Sequence, residues 1–138
     1  MVLSQKLSLY AVIVFSIAGC GSSGDTVVLY PVTGVVLLDG EPLPEGDIIF
    51  LPADGKGRSE GGSIKEGHFE LKMIEGAKRV EVRASRDTGK LADSGIEPGK
   101  KVPIRKDYIP AKYNDKSELK AEVTAGGENM FSFELLSK

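Results

Sequence analysis

The chain has 138 residues, a formal charge of −2, 41% apolar and 28% charged residues, the balance of one globular domain rather than a disordered segment. A single Cys excludes an internal disulfide and a Cys-rich zinc site, and a single His excludes a multi-His metal centre. The near-neutral, slightly acidic charge argues against general nucleic-acid binding.

The first element in chain order is an export signal. Met1 to Lys6 carries one positive charge, Leu7 to Ala18 is mostly apolar, and Gly19 and Cys20 follow. This is the layout of a secretory signal peptide. A membrane-spanning helix needs roughly 20 apolar residues, and this core is shorter. The run Ile17-Ala18-Gly19-Cys20 closely resembles the bacterial lipobox. The resemblance implies diacylglycerol transfer to the Cys20 thiol and cleavage between Gly19 and Cys20. Small side chains at 18 and 19 let a peptidase approach the backbone, and the thiol is the nucleophile for lipid transfer. Two or three acyl chains anchor durably, whereas one binds only marginally. Loss of Lys6 with the signal leaves a mature charge of −3. The expected organisation is a signal over residues 1–19, a lipidated Cys20 with a short Gly/Ser tether over 20–30, and a folded domain over 31–138. The expected location is the cell envelope, on the periplasmic or outer-membrane side, with the membrane as the first partner.

From Pro31 the pattern changes to short runs of period two broken by turn residues. Strands are predicted over Val32–Leu38, Asp47–Pro52, His68–Met73, Arg79–Ala84, Leu119–Val123 and Met130–Leu135, with Ser63-Ile64 leading into the turn before His68. Asp39-Gly40 is a strong hairpin-turn signal, and Lys65-Glu66-Gly67 and Glu75-Gly76 are further turns. No window of a dozen residues carries a helical stripe. Six or seven short strands with frequent Gly and Pro predict an all-β, antiparallel two-sheet sandwich of the prealbumin or immunoglobulin type. Val35, Leu37, Ile49, Leu51, Phe69, Leu71, Val80, Val82, Val123, Phe131 and Phe133 are the expected interior, and Gly34 and Pro52 are expected to mark bulges.

Pro31 to Leu43, then Gly46 to Phe50, resembles the start of a carboxypeptidase-regulatory-like, or transthyretin-like, domain. The family's next turn corresponds to Ser63 to Phe69, where Gly67 and Phe69 match and Ile64 stands at an acidic position. Tyr108 to Asp115, then Ser117 to Leu119 and Glu128-Asn129 before Phe131, add to the likeness. Together with the lipobox, the chain resembles small lipoproteins of planctomycete-type bacteria. The resemblance implies a seven-stranded prealbumin-like sandwich, exported and lipid-anchored, with no family activity to carry over.

Candidate sites are few. Asp39, Glu41, Glu45 and Asp47 put four carboxylates within nine residues, but the spacing is not that of an EF-hand. His68 flanks Phe69 in an alternating run and is expected to face water. Residues 85–106 form the longest stretch without strand character and are expected to be a loop. That stretch carries six cations against Asp87, Asp93 and Glu97. Loops of that length are often functional. Lys100, Lys101, Arg105 and Lys106 are its candidate anionic-ligand contacts. Tyr108 and Tyr113 are candidate aromatic contacts, with Ile109 and Tyr113 also expected to pack beneath the loop. Hydroxyisourate hydrolases use several His and a C-terminal Tyr-Arg-Gly-Ser, and intradiol dioxygenases bind iron through two His and two Tyr. One His excludes both sets, and the chain ends Leu135-Leu136-Ser137-Lys138. There is no Gly-x-Ser-x-Gly elbow and no phosphate-cradling loop. No catalytic residue, metal or cofactor is therefore expected. The functional expectation is a non-catalytic structural or protein-interaction module that contacts envelope proteins. The alternative is an envelope polysaccharide-binding module that uses the basic 85–113 region.

Overall fold

Alternating residues with β-branched and aromatic side chains suit a pleated surface that is half buried, and most such runs here form strands. The computed structural model describes residue 21 and residues 24–138, so the signal and lipidation sites at Gly19 and Cys20 lie outside the described residues. The strands are β1 (Tyr30–Leu38), β2 (Glu41–Pro42), β3 (Glu45–Pro52), β4 (Glu60–Lys65), β5 (His68–Met73) and β6 (Gly76–Arg83). They are followed by β7 (Ser85–Asp93), β8 (Lys101–Asp107), β9 (Leu119–Val123) and β10 (Asn129–Leu135). The protein is all-β, with a sandwich-like body.

The body is one curled sheet of order β10-β1-β5-β4-β3-β6-β9, with β2 paired beside β1. β4 and β5 pair only through Lys65 and His68, and the sheet folds over on itself there. One layer is then β10-β1-β5 and the other β4-β3-β6-β9. The two-residue turns are those the sequence signals. Asp39 and Gly40 have φ of 51° and 83°, and Glu66 and Gly67 have 50° and 78°, the left-handed pairs that a tight hairpin needs. The two turns also support each other. Val36 N–H donates to Gly67 O at 2.7 Å and Gly67 N–H to Leu43 O at 2.7 Å.

Phe69, Val80, Val82, Val123 and Phe133 are buried as expected, and Leu71 and Phe131 are half-buried. Phe50 of one layer meets Phe69 of the other at 5.9 Å between ring centroids. A buried side chain of this size contributes about 1.5–3 kcal/mol.

Four expectations are corrected. On β1 and β3 the interior phase is shifted by one residue. Val32, Val36, Ile48 and Phe50 are fully buried, while Val35, Leu37, Ile49 and Leu51 lie on the outer face, partly covered. Both strands hold four consecutive apolar residues, so alternation alone does not choose the face. Gly34 is no bulge: its register with both Phe131 and Phe69 is regular. It is a close-approach site instead, in phase with Val32 and Val36. Pro52 likewise pairs in register with Lys78. One pair departs from the antiparallel rule. β10 runs parallel to β1 over Val32–Leu38, because the chain crosses from β9 in the opposite layer. Finally, residues 85–106 are not a loop. They form an antiparallel hairpin, β7–β8, with no other strand partner.

Candidate functional site

The hairpin is the feature that separates this molecule from a bare sandwich. β6 starts at Gly76, beside Val123, just after the Met73 that pairs with Tyr30. It runs to Arg83 at the opposite end of the body, and β7 begins two residues later. The arm therefore leaves the pole opposite the one where the N-terminal segment enters. Every residue of β8 is exposed, as are residues 86–91 of β7. Nine strand residues at about 3.3 Å each give the arm a reach of roughly 25–30 Å.

Its sequence explains both the shape and why the pattern is hard to read. An arm with solvent on both faces has no hydrophobic face to announce it. Pro103 sits inside β8, opposite Leu91; a proline is tolerated there because β8 has only one strand neighbour. The register breaks between Asp87 and Leu91, where Gly89 takes φ 74°. Asp87 accepts the Gly89 N–H at 2.7 Å, and Thr88 Oγ1 donates to Ile104 O at 2.7 Å. The bulge is thus satisfied locally.

The root is fastened to the body. Tyr108 N–H donates to Ala84 O at 3.1 Å. Arg105 donates to Ser85 O at 2.7 Å, to Ser85 Oγ at 3.0 Å and to Glu45 Oε1 at 3.2 Å. The Arg86 guanidinium lies 5.4 Å from the Tyr108 ring centre. Between root and body lies an open polar cleft of about 480 Å³, lined among others by Asp47, Lys65, Arg83 and Asp107.

The four candidate cations do not form one cluster. Lys100 pairs with Glu97 at 3.0 Å, Lys101 with Asp93 at 2.6 Å and Arg105 with Glu45 at 3.2 Å. Among the described residues Lys106 makes no such pair. Strand register sorts the remaining groups. Lys106 pairs with Arg86, and Val102 with Ala92, so Arg86, Ala92, Val102, Ile104 and Lys106 share one face. Asp87, Leu91, Asp93, Lys101, Pro103, Arg105 and Asp107 share the other. One face therefore holds cations and aliphatic groups with no carboxylate. The other is close to neutral and turns its root toward Glu45. Ile96 at the tip is 89% exposed.

The two tyrosines are separate. Both rings pack against the core, Tyr108 at the arm's root and Tyr113 beyond it, where Tyr113 accepts the Leu136 N–H at 3.0 Å and has Lys112 5.1 Å from its ring centre. Ile109 is buried, as expected. His68 is exposed. The acidic stretch is dispersed: Asp39 accepts the Ser137 N–H at 3.0 Å while Glu45 holds Arg105. The Ser137 hydrogen bond is the main reason the Asp39 carboxyl titrates below its ordinary value. Among the described residues no group of three or more His, Cys, Asp or Glu is placed to hold a metal ion.

Sequence reasoning missed a set of charges on the body. Lys78 and Glu60 pair at 3.4 Å with side chains 4% and 9% exposed. Glu81 bridges Arg79 at 2.7 Å and Arg83 at 3.1 Å. Hydrogen bonds first to Asp115 and then to Glu81 raise the Arg83 guanidinium above its ordinary value. The signal for Lys78 is its phase with Val80 and Val82, which places it on the inner face of β6.

No family model matches the chain, and neither does any curated protein or solved structure.

Proposed function

We propose that the protein is a lipid-anchored cell-envelope protein acting as a non-catalytic structural and protein-interaction module, with Cys20 as the acylated residue and the β7–β8 arm as the contacting element. The observation that carries the reading is the position of the arm. It extends from the pole opposite the N-terminal segment, so a membrane anchor at Cys20 would leave it directed away from the bilayer. The lipobox supports the anchor. The chain's one His and one Cys support a non-catalytic role. Exposed aliphatic groups on an otherwise hydrated arm support a protein contact. The polysaccharide alternative draws less support, because three of its four cations already face carboxylates of the same chain.

The test has two parts. Mass spectrometry of the N-terminal peptide reads acylation at Cys20, and an unmodified Cys20 refutes the anchor. Crosslinking of the native protein in intact cells then reads what the arm touches. One or two envelope proteins at high stoichiometry, attached through residues 85–107, are expected. Glycan attached there instead refutes the protein-interaction reading in favour of a polysaccharide module.

A further inference from the structure

The sheet of the body ends at β10, and the free edge of that strand is open. The Asp39 N–H donates to Leu135 O at 2.8 Å, and the Phe131 carbonyl lies against Gly34 of β1. Main-chain groups of successive residues point to opposite edges of a strand. Phe131, Phe133 and Leu135 therefore turn theirs toward β1, while Met130, Ser132 and Glu134 turn theirs outward. Among the described residues the main chain of those three has no partner across that edge. Their side chains are exposed, and Phe131, on the inner face of the same strand, is only half-buried.

The edges of the arm and of β9 are guarded in the ways that keep a strand from pairing with another chain. On the arm, the Ser94 N–H donates to Lys100 O and the Tyr108 N–H to Ala84 O. The same alternation turns the main chain of residue 103 to the outer edge of β8, where Pro103 has no N–H to offer. The register break around Gly89 interrupts β7. β9, at the other end of the body's sheet, has five residues, with Lys120 and Glu122 exposed. β10 has seven residues in regular register, no proline, and Glu134 as its single charge.

We propose that β10 takes an extended segment of a different polypeptide as an added strand. The edge specifies that class of partner. Its outward donors and acceptors repeat every second residue, about 6.8 Å apart. An extended main chain matches that repeat with alternating N–H and C=O groups, which a glycan or a lipid headgroup does not carry. Side chains of the segment on the inner side cover the exposed part of Phe131, and those on the outer side lie beside Met130, Ser132 and Glu134. The segment is therefore alternately apolar and polar, with a Lys or Arg facing Glu134. The β10 of a second copy presents the same open groups, but it closes symmetrically on this edge only as an antiparallel pair. That pairing turns the copies end for end and puts their N-terminal segments at opposite ends. Copies anchored at Cys20 in one bilayer stand the same way up, so the occupant is a different chain. This choice of occupant rests on the anchor reading, whereas the open edge stands with or without the anchor and the arm.

The experiment reads amide hydrogen exchange by NMR in the full-length protein held in phosphatidylcholine nanodiscs. Without additive, the Met130, Ser132 and Glu134 amides should exchange faster than those of Phe131, Phe133 and Leu135. The probe is the peptide acetyl-Lys-Val-Thr-Val-Thr-Val-Lys-amide at millimolar concentration, and its control carries proline at the central position. The probe should slow those three amides about five-fold or more and leave Lys120, Glu122 and residues 85–107 unchanged. Ser132→Pro removes an outward N–H without touching the ladder to β1. The variant should keep its circular dichroism and lose the protection at Met130 and Glu134. Glu134→Lys, a change of an exposed side chain, should weaken the protection about three-fold, and the probe with Glu in place of Lys should restore it. This charge swap decides the matter if Ser132→Pro does not fold. No slowing with the probe overturns the proposal. So does equal slowing with the proline control or in folded Ser132→Pro, slowing centred on β9 or the arm, or failure of the charge swap. Slow exchange of the three amides without probe, together with a dimer mass in light scattering, makes a second copy the occupant and overturns the proposal as well. An unacylated Cys20 in the same sample refutes the anchor alone, and the probe measurement, repeated in detergent, decides the contact.

Discussion

Gly34→Ala tests the packing of the body most directly. Within a strand, Gly is the entropically weak choice, and Ala should stabilise by about 0.5–1 kcal/mol if the backbone alone mattered. The structure requires the opposite. A Cβ at Gly34 would run into the Phe131 carbonyl oxygen and into the Phe69 ring, with Cε1 of that ring at 2.7 Å. The carbonyl belongs to the parallel ladder of β10 with β1. The ring is 4% exposed, stacked on Phe133 at 6.3 Å and tilted against Phe50 at 5.9 Å. Neither obstacle is the loose end of a flexible side chain, so strand and aromatic cluster have to shift together. Overpacking costs about 1–3 kcal/mol, and a backbone atom among the obstacles puts the expected net loss at about 2–3 kcal/mol. At about 4 °C per kcal/mol for a domain of this size, Tm falls by about 8–12 °C. Urea and thermal unfolding followed by far-UV circular dichroism read the change, with an unaltered m-value expected. In a Phe69→Leu background the ring obstacle shrinks while the carbonyl stays, so a coupling of about 1 kcal/mol should appear in the double-mutant cycle. Gly126→Ala, at φ 75° with nothing within 4 Å of the added Cβ, should cost only about 1 kcal/mol from its conformation. If Gly34→Ala matches or exceeds the parent in stability, the close approach of β10, β1 and Phe69 is wrong.

Three further outcomes follow from the same packing. Glu60→Ala leaves the Lys78 ammonium buried without its partner and should cost about 3–5 kcal/mol, whereas Glu60→Leu with Lys78→Met should fold with close to parental stability; urea unfolding of the two variants separates these cases. The Asp39 carboxyl is held below its ordinary value of 3.8, mainly by the Ser137 hydrogen bond. A depressed folded value means that its contribution is present above pH 3.8 and is lost as the pH falls through the lower folded value. NMR titration should show a midpoint below 3.8, with the Ser137 amide moving in step, and a midpoint at or above it counts against docking of the C-terminal segment. Ser117 Oγ donates to the Val80 carbonyl and accepts the Leu119 N–H at 3.2 Å in a buried position. Ser117→Ala should therefore cost about 1–3 kcal/mol in urea unfolding, and a neutral result would remove this link between β6 and β9.

The body was largely legible in the sequence. His68–Met73 and Leu119–Val123 alternate cleanly and are the strands observed. Asp39-Gly40 and Glu66-Gly67 are turns for a conformational reason, the positive φ at both central residues. Legibility failed where the physical signal is absent. Val35 to Leu38 and Ile48 to Leu51 present apolar side chains to both faces, so the choice of interior phase depends on partners distant in sequence. The decisive clue on β1 was Gly34, which lies on the buried face because two aromatic-bearing neighbours close over it. Residues 85–93 mix charged, small and glycine positions because neither face of β7 is covered, and a period-two pattern needs one covered face. The candidate cations were visible as residues, but their pairing was not. Glu45 lies sixty positions from Arg105, and only the fold brings the two together.

The arrangement of charge around the arm has a consistent physical logic. A two-stranded ribbon in water is marginally stable alone. This one is held at its base by the Arg105 contacts to Ser85 and Glu45 and by the Tyr108 link to Ala84. The Arg105 contacts use the face that turns toward the body, and the other cation of that face, Lys101, pairs with Asp93 within the arm. On the opposite face, Arg86 and Lys106 sit across the strand pair from each other, where like charges repel. Such a pair is stabilised by a negative partner between them or by an aromatic face, and Tyr108 supplies the latter to Arg86 alone. Lys106 faces solvent with Ile104 and Val102 beside it. Lys106, unpaired among the described residues, therefore lies beside two of the arm's exposed aliphatic groups, Val102 and Ile104, while Leu91 is exposed on the opposite face and Ile96 at the tip. An acidic, partly apolar protein surface would satisfy both Lys106 and its aliphatic neighbours, which supports the proposed role of the arm as a contact element.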